Sequence, residues 1–242
     1  MRVVPGFVVA GLTGLVAAAS ACNGNVALCS RLYSNISQLT SSPWEYGSSK
    51  HKRTMLMTWL EQNPNEVVTL LLTNGDAIPV SQFGEVFLAT GLDQFVYTPT
   101  TTLTMQQWPT LQEMIDSGNR LIVFMDYHTD VDVVPYILNE FAYFFETPFD
   151  TTDKDFPECT LDRPAGASAE GRMYIVNHFL DVDVLGIYIP DQIEASSTNS
   201  LKSIKAQADL CLQAWGRMPN VILLDWINIG DAIQAQDMLN NL

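Results

Sequence analysis

The unbroken apolar run Val67 to Leu72 constrains this chain more than any other stretch. It shows no period-two alternation, so both faces of the strand it forms must be covered, as in parallel sheets wrapped by helices. Asn63-Pro64-Asn65 ends the preceding helix, because proline disfavours helical geometry in the residue before it. Thr73, Asn74 and Asp76 follow as a polar tip, and functional groups collect at such carboxyl ends in parallel folds.

The remaining chain repeats this unit. Apolar residues recur at helical spacing in Lys52 to Gln62, Ser81 to Thr90, Leu111 to Ser117, Val134 to Phe141, Ser200 to Trp215 and Ala232 to Leu239. Gly91 and Gly118 supply stops for the second and third of these. Strands are expected at Arg120 to Tyr127, Ala142 to Glu146, Arg172 to Leu180 and Asn220 to Ile229, with a short one within Ser34 to Thr40 and a loop over Ser41 to Ser49. No internal repeat or linker interrupts the alternation, which predicts a single α/β domain, either a barrel or a doubly wound sheet. No GxGxxG follows a strand, so dinucleotide binding has no support.

The first 21 residues combine one basic residue, an apolar run broken by Pro5, Gly6, Gly11 and Gly14, and the small-x-small end Ala19-Ser20-Ala21. They predict a secretory signal over 1–21, a mature domain over 22–242 with no transmembrane anchor, and an extracellular location. The formal charge is −15, and −16 once Arg2 is gone, which disfavours nucleic acid and anionic membrane surfaces as partners. Cys22, Cys29, Cys159 and Cys211 allow three disulfide pairings; the expected one joins Cys22 to Cys29 across a short loop and Cys159 to Cys211. Metal binding by these cysteines is the weaker alternative, since no CxxC or nearby histidine pair accompanies them. Asn35-Ile36-Ser37 is a glycosylation sequon at Asn35.

Asn74, Asp126, Tyr127, Asn177 and Asp225 sit at the expected strand ends, so in a barrel they would share one mouth and form a substrate-binding pocket. Asp126, Asp130 and Asp132 suggest calcium, but the loop lacks the glycine and terminal glutamate of a recognised calcium loop. No cofactor is therefore expected, a divalent ion such as Ca2+ being the alternative. Of the three histidines, His51 lies in a basic helix start, His128 follows a strand tip, and His178 is the best placed, making it the candidate catalytic residue.

The segments CNGNVALCSRLYSNISQ, WLEQNPNEVVTLLLTN, WPTLQEMIDSGNRLIVFMDY, VPYILNEFAYFFETPFD, MYIVNHFL and VILLDWINIG resemble the secreted fungal phospholipase C-like phosphodiesterases. That group shares the TIM-type barrel of the phosphatidylinositol-specific phospholipase C X domain. The resemblance implies a phosphoric diester hydrolase of lipid metabolism that acts through two histidines, one as general base and one as general acid, near neutral pH. It also implies a phosphodiester, polyol phosphate or lipid head group as partner, and a monomer.

The chain departs from this pattern after Gln38. Where the family continues into a glycine, a histidine and an aspartate, this sequence has Leu39, Thr40 and SSPWEYGSS, then resumes at the helix before the family's fourth strand. The comparison implies an internal truncation near 39–51, with the second and third βα units absent and an open barrel of about six strands in place of eight. The strand from Glu66 is then expected to pair with the Asn35 segment. His178 matches a pocket-lining position and neither member of the catalytic pair. Three readings follow: an impaired hydrolase, a non-catalytic polyol- or phosphate-binding relative aided by Arg120, Arg163 or Arg172, and a splice or gene-model fragment.

Overall fold

Paired parallel ladders absorb the apolar runs. The computed structural model describes residues 7–10, 21–41 and 49–242, with side chains over 21–40 and 56–242. In chain order the elements begin β1 (Phe7–Ala10), β2 (Gln38–Ser41), α1 (Ser49–Gln62), β3 (Val68–Leu72), α2 (Val80–Thr90), α3 (Leu111–Ser117), β4 (Leu121–Met125), β5 (Ile137–Asn139) and α4 (Glu140–Tyr143). They continue with β6 (Phe144–Glu146), β7 (Met173–Asn177), β8 (Asp181–Val184), β9 (Ile187–Pro190), α5 (Ala195–Thr198), α6 (Leu201–Trp215), β10 (Val221–Leu224) and α7 (Ala232–Leu239). Two compact units result, residues 1–34 with 46–143 and residues 35–45 with 144–242.

In the first unit β3 pairs in parallel with β4, from Val68 opposite Leu121 to Leu72 opposite Met125, and β4 pairs in parallel with β5. Every β4 residue is buried. Val68, Leu70 and Leu72 face a core shared with Leu60, Phe87, Val123 and Ile137, which α1 and α2 help to close. On the other face the Thr69 hydroxyl lies 2.8 Å from that of Tyr33, and Phe124 sits against Trp108 and Tyr143. Trp108 also packs on Tyr33 and Tyr97, so one buried indole organises this aromatic layer.

Arg120 joins helix to strand. Its buried guanidinium donates to the carbonyls of Leu60, Asn63 and Glu66 and lies 5.1 Å from the Phe95 ring centroid. The end of α1 and the entry to β3 thereby gain acceptors for a charge that would be costly to bury alone. Arg120 is thus committed to structure in its own unit.

The second unit carries the parallel ladders β6–β7, β7–β10 and β10–β2. α6 and α7 cover one face through Ile204, Ala208, Ala235 and Leu239, packed with Tyr174, Val176, Ile222 and Leu224. The Ser200 hydroxyl caps α6 by accepting from the Ser203 N–H, and Gly216 at φ +70 ends it. At the end of α7 the Asn240 amide donates to the Ser37 carbonyl at 2.8 Å and accepts from the Ser37 N–H at 3.0 Å, fixing the approach to β2.

Several expectations change. The segment expected as a strand over Ser34 to Thr40 begins as a 3-10 turn, Tyr33–Asn35, and extends only from Gln38. It pairs with β10 and not with β3; the remaining edge of β3 is taken by β1, which runs antiparallel with Phe7 opposite Leu72. A buried strand cannot leave its backbone unpaired, and an apolar segment near the start of the chain supplies the partner. The helix expected over Val134 to Phe141 is replaced by β5 and the single turn α4, because Ile137 to Asn139 extends along β4. The strand Asn220 to Ile229 stops at Leu224, with Trp226 at φ +47 turning the chain. The expected loop Ser41 to Ser49 lies mostly outside the described residues, as does most of the expected leader.

Both expected disulfides form, Cys22–Cys29 and Cys159–Cys211. The first spans a sequence separation of 7 and the second of 52, so chain entropy favours the second. Trp215 Nε1 donates to the Cys159 carbonyl at 2.9 Å beside it, holding the loop to α6. Replacing Cys159 and Cys211 together by alanine is expected to cost about 4 kcal/mol, against about 2 kcal/mol for Cys22 and Cys29. Urea melts of the two double variants would check this, and an equal or reversed loss would refute the ordering.

Candidate functional site

At the carboxyl ends of β3 and β4, Asn74 ties the tips together. Its backbone N–H donates to Asp126 Oδ1 at 2.7 Å, its amide donates to the Ile78 carbonyl at 2.9 Å and the Tyr127 carbonyl at 3.3 Å, and its Oδ1 accepts from the Ile78 N–H at 2.9 Å. Asp126 Oδ1 also accepts from the Tyr127 N–H at 2.7 Å. Asn74 is buried and its amide is committed to the protein, so it positions its neighbours. The Tyr127 side chain is exposed, its ring 5.6 Å from that of Phe141. Of the three predicted residues here, Tyr127 is the one open to a ligand. Asp130 closes a turn: Oδ1 accepts from the Asp132 N–H at 3.0 Å, and its carbonyl accepts from Val133 and Val134. His128 is exposed at φ +59.

In the second unit the ends of β6 and β7 are joined by charge. Glu146 is buried and accepts from Arg163 at 2.5 Å and from the Asn177 amide at 3.0 Å. The same amide donates to the Thr147 carbonyl at 2.7 Å, and Thr147 Oγ1 accepts from the Asn177 N–H at 3.0 Å. The Arg163 guanidinium lies 4.5 Å from the Phe149 ring centroid. Arg163 thus stands at a strand end with its charge offset by Glu146. Arg172, at the opposite, amino end of β7, donates to the Ser168 carbonyl.

Three carboxylates follow. Burial pushes Asp181 up to about 6, with Asp150 and Asp225 raising it further by repulsion. Asp150 is itself raised by burial, with Arg163 opposing. Asp225, at the end of β10, is buried. A carboxyl that changes charge near pH 6 can give or accept a proton in the range useful to general acid–base work. Glu146, Asp150 and Asp181 escaped the sequence reading; Glu146 is the last residue of an apolar strand, a signal that could have found it.

His178 differs from a catalytic imidazole. It is wholly buried, lies tilted against Phe156 with centroids 4.1 Å apart, and has Nε2 2.8 Å from the Thr198 carbonyl and Nδ1 against the Gln207 amide. Burial lowers its pKa, with the hydrogen bonds to Gln207 and Thr198 opposing. The first unit therefore brings together Asn74, Asp126 and Tyr127, whereas the second sets Asn177 with Glu146 and Arg163 and couples Asp225 to Asp181. Among the described residues no group of three or more His, Cys, Asp or Glu is arranged to hold a metal ion, and no helix is long and apolar enough to cross a membrane.

The family described as PI-PLC X matches residues 40–240. PI-PLC X domain-containing protein 1 of Arthroderma benhamiae (strain ATCC MYA-4681 / CBS 112371) is 50% identical over 189 residues, which cover 76% of this chain and 62% of that protein. A second protein of the same organism, named as an uncharacterized secreted protein, is 38% identical over 235 residues, covering 91% of this chain and 51% of its own length. The chain thus spans between half and two thirds of these relatives. No solved structure matches it.

Two pH effects of opposite sign follow. His178 is held neutral when folded and takes up a proton near 6.5 when unfolded, so stability falls as pH drops below 6.5. Asp181 holds its proton to about 6 when folded and loses it near 4 when unfolded, so it costs stability as pH rises from about 4 through 6. Asp181→Asn should therefore raise the denaturation midpoint relative to the parent more at pH 7 than at pH 4. Urea titrations at the two pH values would detect it, and a gain no larger at pH 7 would refute the assignment.

Proposed function

The chain belongs to the PI-PLC X family, and from that membership we propose a secreted phospholipase C-like phosphoric diester hydrolase fold that retains a head-group site but lacks the family's histidine pair. The observation that carries this reading is the burial of His178, both of whose ring nitrogens are engaged by protein groups. With His51 and His128 as the only other histidines in the sequence, no pair at neighbouring strand tips is available in the pattern the family uses. Two imidazoles matter because one proton must be taken from the nucleophile and another delivered to the leaving group. The expected consequence is turnover that is weak or absent.

The ligand in this reading is a polyol phosphate or phosphoinositide-type head group. Within the second unit Asn177 shapes the strand tips for it, and within the first Asn74 and Asp126 hold the tips from which Tyr127 is exposed. Arg163 supplies positive charge, tempered by Glu146. The parallel ladders within each unit support the α/β class of that fold, with four strands paired in each unit besides the β8–β9 hairpin, eight in all among the described residues against the six expected. Export is supported by the two disulfides and by the secreted name of one relative. In that setting Asn35 is exposed for glycosylation, whereas the Ser37 hydroxyl of the sequon is buried and donates to the Pro219 carbonyl at 2.7 Å.

The purified protein should release no cyclic inositol phosphate from phosphatidylinositol above background, while inositol phosphates give a binding isotherm by calorimetry. Turnover abolished by His178→Gln, with the circular dichroism spectrum unchanged, would overturn the reading. Absence of both turnover and binding would exclude the head-group site.

A further inference from the structure

We infer that the β8–β9 hairpin is a docking element for an uncharged or zwitterionic lipid surface. The two strands form a sheet of their own, with Asp181 opposite Pro190, Val182 opposite Ile189, Asp183 opposite Tyr188 and Val184 opposite Ile187. Residues paired across an antiparallel ladder share a face, and alternate residues along a strand share it too. One face therefore carries Val182, Val184, Ile187 and Ile189, and the other Asp181, Asp183, Tyr188 and Pro190. An alternating strand ordinarily turns its apolar face onto a core. Here that face is turned to solvent: Ile187 is 65% exposed, and Val182, Val184 and Ile189 are 44–48% exposed.

The tip gives the hairpin its direction. Leu185 and Gly186 form a two-residue turn with φ +58 and +81, and Asp183 Oδ1 accepts from the Gly186 N–H at 2.7 Å. Such a turn favours asparagine, aspartate or glycine at its first position, since a bulky side chain at positive φ is strained. Leucine stands there at 100% exposure. One residue thus opposes both the backbone preference and the solvent preference of its site, as expected of a side chain kept for something it enters. Ile193, 89% exposed, extends the apolar character beyond β9.

Charge and area select the occupant. The opposite face begins with Asp181 and Asp183, Asp191 and Glu194 follow the hairpin, and the chain carries −15 overall, so an anionic surface is repelled. The exposed apolar patch is on the order of 500 Å², at the upper end of what monomeric proteins show. A stable dimer needs about 800 Å² from each partner, more than this patch offers, and a projecting leucine tip suits insertion better than face-to-face pairing. An apolar surface with its polar face left in water is instead what an interfacial element requires. The inference stands on the hairpin and is independent of whether the head-group site turns over.

The test is sedimentation of the purified chain with phosphatidylcholine vesicles, and with vesicles in which a third of the lipid is phosphatidylserine. Binding to the first is expected, insensitive to salt, and weaker to the second. Leu185→Asn should lower the partition coefficient by about tenfold while leaving the melting temperature equal or higher, because asparagine suits the turn better. Ile187→Thr should weaken binding in the same direction. Failure to bind phosphatidylcholine, binding that requires phosphatidylserine, or a dimer in solution that Leu185→Asn dissociates would each overturn the proposal. Head-group binding by calorimetry should be unchanged in Leu185→Asn, so failure at the hairpin and failure at the site are distinguishable.

Discussion

Backbone pairing between strands covered on both faces is the constraint on which the structure depends. The residues of β4, β7 and β10 are all buried, so their amides have no access to water and must be satisfied by neighbours. Within each unit parallel ladders meet that demand and align the carboxyl ends of adjacent strands. Polar residues can then follow each apolar run without interrupting it. The location of Asn74, Glu146, Asn177 and Asp225 is thus a consequence of how the core is paired.

Buried amides secure the strands at both ends, Asn74 and Asn177 at carboxyl ends and Asn220 and Asn240 beside amino ends. Asn74, Asn177, Asn220 and Asn240 are all buried, and each bonds to backbone groups, an economical arrangement because an amide both donates and accepts without the desolvation cost of a charge. Charges occur where specific partners surround them, as with Arg120 among three carbonyls and Arg163 on Glu146. Asp181 departs from this, as a buried carboxyl repelled by Asp150 and by the buried Asp225. As the first residue of β8 it places an acid sensitive to pH at the base of the exposed apolar hairpin.

Long periodic segments were legible in the sequence for a physical reason: α3 and α7 match their expected bounds, and α6 begins one residue later, because cap residues and an amphipathic period act locally. The Val134 to Phe141 segment misled because a strand beside β4 and a helix both want Val134 and Ile137 buried, and only the available ladder decides. The pairing of β2 with β10 and of β3 with β1 is nonlocal and left no mark on composition. At the candidate site, strand-tip residues could be named from position alone, whereas His178 could not be recognised as buried without knowing that α6 brings Gln207 against it. The hairpin did have a signal, the alternation DVDV and IYIP around Leu-Gly, lying between the expected strand Arg172 to Leu180 and the expected helix from Ser200.

The N-terminal strand carries a consequence for assembly. Phe7–Ala10 closes one side of β3, yet it belongs to the stretch whose composition reads as a leader. Those roles exclude each other in a single molecule. A chain that retains the segment has its own capping strand, whereas one that has lost it presents Thr69 to Leu72 with a row of unpaired donors and acceptors. The backbone of β3 is thus completed by residues far from it in sequence, and its pairing depends on whether they stay with the chain.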